Sequence, residues 1–86
     1  MTGEPSSVAV HFVLDADAGA GLLSRVVQTL ARRDLIPDRV SFERVGDTLH
    51  VEIAMQAMPY DMVHLVEGNL CQLVGVRSVE QIRLTA

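Results

Sequence analysis

Aromatic side chains are scarce in this sequence, which has no tryptophan and only Phe12, Phe42 and Tyr60 as aromatics. The formal net charge is -4, and every basic residue is an arginine or a histidine because lysine is absent. Proteins that bind nucleic acids use a basic surface and aromatic rings that stack on the bases, so this composition argues against a nucleic-acid partner. Because 49% of the residues are nonetheless hydrophobic, the sequence predicts an aliphatic core.

A single cysteine, Cys71, excludes an internal disulfide and fits a reducing compartment. No apolar run approaches the roughly 18 residues that cross a membrane, and no secretory signal pattern is visible. The sequence therefore predicts a cytoplasmic protein with no membrane partner. At 86 residues the chain is predicted to form one domain, with residues 1–6 as a disordered tail and residues 7–86 as the folded unit.

Hydrophobic periodicity predicts the order strand, helix, strand, strand, helix, strand. The alternation that is typical of half-buried strands covers residues 7–14, 39–45, 48–57 and 76–84. Helical spacing covers residues 22–31 and a segment that begins at Pro59 and ends before Gly75. Val79 breaks the alternation of the last strand, so we expect either a β-bulge there or a partner that faces Val79.

One apolar face per strand indicates an antiparallel sheet whose helices cover a single face. The predicted fold class is therefore α+β, a ferredoxin-like βαββαβ arrangement with four antiparallel strands and two helices on one face. Many unrelated functions use this fold, so function has to be argued from particular residues. In the first helix, the residues predicted to face the core are Leu22, Leu23, Val26, Val27 and Leu30, with Thr29 on the polar side.

The turn before the first helix is the one segment with a physical rationale for a small-molecule site. Residues 15–21 read Asp-Ala-Asp-Ala-Gly-Ala-Gly and lead directly into the helix. The unpaired N–H groups of a helix start and the positive end of its dipole can hold a carboxylate or a phosphate. The predicted ligand-binding residues are Asp15, Asp17, Gly19, Ala20, Gly21 and Leu22.

Asp15 and Asp17 allow two interpretations. An aspartate just before a helix commonly caps the free N–H groups. Alternatively, one of the two carboxylates receives the ammonium group of a bound amino acid while the turn N–H groups take its carboxylate. The interpretations compete, because a carboxylate that already occupies the N–H groups would repel an incoming one.

Metal and enzyme chemistry find little support in the sequence. His11, His50 and Glu52 are predicted to share the open face of the sheet, where they could meet around a metal ion or serve as ordinary polar surface residues. Their spacing matches no known ligand motif, and the sequence has no P-loop, GxSxG or CxxC motif. We therefore expect no metal, no cofactor and no enzymatic activity.

Two segments resemble the ACT domain, a small regulatory module of amino-acid metabolism. Residues 21–26, Gly-Leu-Leu-Ser-Arg-Val, resemble the start of that family's first helix. Residues 69–79, NLCQLVGVRSV, resemble the ending typical of the regulatory small subunit of acetohydroxyacid (acetolactate) synthase. The family's usual Asn-x-Pro-Gly turn is absent, and Ala20 stands in the place of its proline.

The resemblance implies a homodimer that binds an amino acid between the first turn of one subunit and its neighbour. It also implies a larger catalytic partner, a thiamine-diphosphate enzyme of branched-chain amino-acid biosynthesis. The expected function is an amino-acid-binding regulatory module, and the alternative is a ligand-free subunit that stabilises a catalytic chain. A small ferredoxin-like enzyme is a third, weaker hypothesis. We expect the dimer contact at residues 39–45 or at another open edge of the sheet.

Overall fold

The computed structural model describes residues 7–84, which form a four-stranded antiparallel sheet with two helices packed on one face. The elements in chain order are β1 (Ser7–Asp17), α1 (Leu22–Ala31), β2 (Arg39–Val45), β3 (Thr48–Pro59), a single 3-10 turn (Tyr60–Met62), α2 (Val63–Cys71) and β4 (Val76–Leu84). The strand order is β2-β3-β1-β4. The predicted ferredoxin-like fold is confirmed, whereas the predicted tail at residues 1–6 lies outside the described residues.

The core lies between the sheet and the helices, and it is aliphatic apart from one ring. Alternation along the central strand β1 turns Val10, Phe12 and Leu14 toward the helices, and all three are fully buried. Each fully buried side chain of this size contributes about 1.5–3 kcal/mol through the hydrophobic effect. The other fully buried side chains of this core include Val51, Ile53, Met58, Val26, Leu30, Val63, Val66 and Leu70.

A β-bulge in β4 accounts for the broken alternation of that strand. The register pairs Asp15 with Ser78 but Ala16 with Val76, which leaves Arg77 as the extra residue. Val76 and Val79 can therefore both pack against the core. The bulge interpretation is confirmed, and Val79 does not need a partner to cover it.

Four boundaries differ from the sequence prediction. β3 ends at Pro59 instead of residue 57, and α2 ends at Cys71 instead of continuing to the residue before Gly75. β1 continues to Asp17 instead of ending at Leu14, because residues 15–17 pair with residues 48–50 of β3. The second helix is confirmed, but its predicted start at Pro59 was wrong: Pro59 is the last residue of β3, a 3-10 turn follows, and α2 begins at Val63. Neither α1 nor α2 is long and apolar enough to cross a membrane.

α1 buries a different stripe from the one predicted. Leu22, Val26 and Leu30 are buried as expected, but Leu23 and Val27 are 37% and 47% exposed. Thr29, predicted on the polar side, is buried, and its hydroxyl donates to the Arg25 carbonyl at 2.9 Å. α1 therefore presents an apolar strip made of Leu23 and Val27, which we call the α1 flank.

Candidate functional site

The turn that enters α1 spans residues 18–21 and lies at the end of the sheet where two other connections also turn. The Asp17 N–H donates to the Gly75 carbonyl at 2.8 Å, in the α2–β4 connection. The Ala18 N–H donates to the Asp47 carbonyl at 2.9 Å, in the β2–β3 hairpin. These bonds fix the start of the turn, so the helix start is held in a defined position relative to the sheet.

The N-terminus of α1 has no cap. Gly21 occupies the N-cap position, no side chain accepts from the first helical turn, and that turn contains no acidic residue. The Leu22 N–H reaches only the Gly19 carbonyl, at 3.2 Å. Within the described chain, no backbone hydrogen bond engages the N–H groups of Gly19, Ala20, Gly21, Leu23 and Ser24. These donors and the positive end of the helix dipole suit a carboxylate or a phosphate.

A cleft of about 340 Å³ opens beside the turn and is lined by Ala18, Gly19, Ala20, Leu23, Arg44 and Leu49. Arg44 is paired with Leu49 across the β2–β3 hairpin, which puts it on the helix-covered side of the sheet. Its Nε donates to the Gly46 carbonyl at 2.9 Å. The cleft thus combines backbone donors, a cation and an apolar wall.

Arg25 supplies a second cation at the turn. A Cβ atom built on Gly21 would lie 2.9 Å from Arg25 Nη2, so the guanidinium lies against the Gly21 backbone. Among residues 7–84, neither Arg25 nor Arg44 is within salt-bridge distance of a carboxylate. Both positive charges therefore remain available to neutralise an anion at the helix start.

The sequence prediction omits Arg25 and Arg44, although a signal exists for each. Arg25 follows Gly21 by four residues, which is about one turn of helix. The two-residue turn Gly46-Asp47 fixes a hairpin register that opposes Arg44 to the apolar Leu49. Directly opposed residues lie on the same face of a sheet. The hairpin pattern therefore predicts that Arg44 lies on the helix side, next to the first turn.

Asp15 and Asp17 lie in β1 rather than in the turn, on the sheet face away from the helices. Asp15 Oδ1 accepts a hydrogen bond from His50 Nδ1 at 2.7 Å, and Asp17 Oδ1 lies 3.1 Å from Arg77 Nε. The capping interpretation was wrong, because no side chain caps α1. Neither aspartate lines the cleft. An ammonium-binding role for them stays a prediction, and the geometry favours Gly19, Ala20 and Gly21.

A family model described as an ACT-like domain matches residues 3–86. The chain belongs to the ACT-like domain family. A search of curated proteins finds no match to this ACT-like domain. The family assignment confirms the ACT part of the resemblance seen in the sequence, and the link to one particular enzyme is a separate question.

Three solved structures share the fold at low sequence identity. An uncharacterized protein from Thermotoga maritima has a TM-score of 0.76 and 15% identity, covering 92% of this chain and 99% of that one. The ACT domain from GTP pyrophosphokinase of Chlorobium tepidum has a TM-score of 0.77 and 10% identity, covering 88% and 99%. A homoserine dehydrogenase from Thiobacillus denitrificans has a TM-score of 0.78 and 19% identity, covering 99% of this chain but 19% of that one. At these identities the likeness establishes the fold.

On the open sheet face of this ACT-like domain, His50 lies between two carboxylates. His50 Nδ1 is 2.7 Å from Asp15 Oδ1, and Nε2 is 3.3 Å from Glu52 Oε2. The hydrogen bond with Asp15 is the largest cause that raises the pKa of His50 above its ordinary value of 6.5, and Glu52 adds to it. His11 is instead opposed to Ala54. The metal hypothesis for His11, His50 and Glu52 gains no support, since no three His, Cys, Asp or Glu side chains of the described part are placed to hold an ion.

Replacing Asp15 with asparagine should lower the pKa of His50 toward 6.5, because the largest cause of the shift is removed. A pKa that is higher in the folded state stabilises the fold fully below the unfolded value, and this stabilisation is lost as the pH rises through the folded value. The wild type should therefore lose stability relative to Asp15→Asn as the pH rises above about 6.5. NMR titration of the His50 ring and urea unfolding on both sides of that pH measure the two effects.

Asp17→Asn is the matched control for this titration. It removes the same charge from the same strand and face, but the carboxylate that is lost contacts Arg77 and not His50. The pKa of His50 should change much less in this variant. Equal decreases in the two variants would show that overall negative charge, and not the hydrogen bond with Asp15, sets the pKa.

Proposed function

We propose that this ACT-like domain is a regulatory module that binds an amino acid at the turn formed by residues 18–21. The observation that carries the proposal is the uncapped start of α1, beside which Arg25 and Arg44 have no carboxylate partner among residues 7–84. The ligand carboxylate would accept hydrogen bonds from the turn N–H groups, and Arg25 and Arg44 would neutralise its charge. Leu23 and Leu49 would contact an aliphatic side chain of the ligand.

The ammonium group of the amino acid is bound most strongly by a carboxylate. No carboxylate lines the cleft in the part of the chain described. The cleft includes Arg44 of β2, which is an edge strand whose residues are all exposed except the half-buried Val40. We therefore propose that a second copy of the chain pairs along β2, covers the α1 flank and completes the site.

We further propose that the module regulates an enzyme of amino-acid biosynthesis, such as acetohydroxyacid synthase. Residues 69–79, which resemble the small subunit of that enzyme, contain Gly75, whose carbonyl anchors the ligand turn through the Asp17 N–H. Two of the similar folds come from enzymes, GTP pyrophosphokinase and homoserine dehydrogenase, which supports a position beside a catalytic chain. We propose that this partnership is cytoplasmic. The module itself would do no chemistry. Its ligand would shift the population of two dimer arrangements, and the catalytic partner would respond to that population.

Thermal melting in the presence of each of the twenty amino acids tests the proposed function. A ligand present at about 100 times its Kd adds about 2.7 kcal/mol to the free energy of unfolding, which should raise the melting temperature by roughly 10–20 °C for a domain of this size. Gly21→Asp should abolish this rise, because the new carboxylate can accept from the N–H groups that the ligand needs. The variant should still fold, since Gly21 has a φ of -89° and the nearest neighbour of a new Cβ is the flexible end of Arg25.

Gly68→Asp is the matched control, because a side chain at Gly68 of α2 meets nothing within 4 Å. It should keep the full response to the ligand. A response that survives Gly21→Asp would move the site away from this turn. If none of the twenty amino acids raises the melting temperature of the wild type, the ligand-free structural subunit is favoured.

A further inference from the structure

A second polar cleft lies along the seam between α1 and α2. Its volume is about 580 Å³, and it is lined by Thr29, Arg32, Arg33, Asn69, Gln72 and Leu73. Arg32 follows Gly21 by eleven residues, a distance of roughly 16 Å along a helix. The two clefts share no lining residue, so what this cleft binds does not depend on the function proposed above.

Arg33 is held in a defined orientation at this cleft. Its Nε donates to Asn69 Oδ1 at 2.9 Å, and its Nη1 lies 3.9 Å from Met62 Sδ. A guanidinium group carries five N–H donors, so most of its donors remain unused by these two contacts. Because the Asn69 oxygen accepts from Arg33, the amide NH₂ of Asn69 is left to donate. Together with the Gln72 amide, the cleft is rich in donors.

No carboxylate of the described chain pairs with the arginines of this cleft. No acidic side chain lines it, and neither Arg32 nor Arg33 lies within salt-bridge distance of a carboxylate among residues 7–84. Arg32 and Arg33 bring two positive charges to the lining of this cleft, and an anion bound there would be attracted to both. The protein as a whole is acidic, with a net charge of -4, so this concentration of positive charge is local.

We propose that the seam between α1 and α2 binds a small oxyanion, the phosphate or carboxylate group of a metabolite. The planar fork of Arg33 matches two oxygens of such a group, and its contact with Asn69 fixes the fork before the ligand arrives. Arg32 supplies a second charge, and the amides of Asn69 and Gln72 supply neutral donors. Leu73 forms the apolar part of the wall.

NMR titration of the whole chain with inorganic phosphate, and separately with malonate, tests this proposal at constant ionic strength. Each probe that binds should cause saturable shifts at the Arg33 Nε–H and at residues 29–33 and 69–73, with a Kd of about 1 mM. Tighter binding of phosphate would identify phosphate metabolites as the ligand class, and tighter binding of malonate would identify carboxylates. Arg33→Gln should weaken binding at least about tenfold, and Arg32→Gln about threefold.

Arg83→Gln is the control, because it removes the same charge from β4, where Arg83 lies over the Tyr60 ring. Its effect should stay below about twofold. Since Arg33→Gln also removes the contact with Asn69, the exposed Arg32 provides a test that does not depend on that contact. Equal weakening by Arg83→Gln, shifts centred on residues 18–21, or no saturation by either probe would each overturn the proposal.

Discussion

Replacing Phe12 with alanine should bring the domain close to unfolding at 25 °C. Phe12 is fully buried in β1, between β3 and β4, and it is the one aromatic ring in an otherwise aliphatic core. Removing a buried phenyl ring costs about 3–5 kcal/mol, because the neighbouring side chains cannot fill the cavity. A domain of this length has only about 4–13 kcal/mol of unfolding free energy in total. Urea unfolding followed by circular dichroism should show a large decrease in the midpoint, or no folded baseline.

Phe42→Ala is the matched control for this prediction. Phe42 lies on the edge strand β2 and is 38% exposed, so its truncation should cost about 1–2 kcal/mol, clearly less than that of Phe12. Because β2 is also the proposed dimer edge, both variants should be unfolded at two protein concentrations, which separates association from the stability of the monomer. Similar losses of unfolding free energy in the two variants would contradict the described core, which encloses Phe12 but not Phe42.

The alternation of apolar and polar residues predicts strands well, because it depends only on residues that are neighbours in the sequence. Alternation predicts the bounds of β2 and β4 as the structure has them, since each strand has one face on the core. The same alternation continues through Val10, Phe12, Leu14 and Ala16 in β1, all of them fully buried. The turn was nevertheless predicted to start at Asp15, because alanine is a weak hydrophobic signal beside two aspartates and a glycine. Pairing with residues 48–50 extends β1, and that contact is distant in sequence.

In the candidate site, too, the features made by neighbouring residues could be predicted from the sequence, and those made by distant residues were missed. The glycine-bearing turn before a helix can be recognised from neighbouring residues, and the structure confirms that α1 starts right after Gly21. The two arginines lie further away in the sequence, and their signals are indirect: Arg25 follows Gly21 by one helical turn, and Arg44 is placed by the register of the β2–β3 hairpin. For the acidic residues the structure changes the assignment the other way, because it places Asp15 and Asp17 outside the cleft. Asp15 and Asp17 belong to the open face once β1 is extended, so the turn carries no negative charge that would repel a carboxylate.

The exposed α1 flank connects the site to the proposed dimer. Leu23 lines the ligand cleft with Arg44 of the edge strand, so this side of α1 faces the edge along which we propose that a second copy pairs. Val27 lies one helical turn further on the same side. Pairing of two copies along β2 can bury the α1 flank as well as the strand edge. Burying this apolar surface stabilises a domain of such small size.

Replacing Val27 with glutamate should convert the proposed dimer into a monomer at micromolar concentration. In a twofold arrangement both copies lose an apolar contact of roughly 1 kcal/mol, and the two new carboxylates add repulsion, so association should weaken at least about thirtyfold. The monomer should stay folded, because Val27 is 47% exposed in the single chain. Sedimentation velocity measures the association. If the second copy completes the ligand site, the same variant should also lose the thermal response to amino acids.

Leu65→Glu is the matched control, since Leu65 lies on α2 and is 49% exposed. α2 packs over β4, as the hydrogen bond from Gln81 to Glu67 shows, so this substitution introduces the same charge on the side of the molecule away from β2. Leu65→Glu should sediment as the wild type does. Dissociation by Leu65→Glu with no effect of Val27→Glu would move the interface to the β4 side. A wild type that is monomeric at micromolar concentration would contradict the dimer, and the ammonium group of the ligand would then need an acceptor within the single chain.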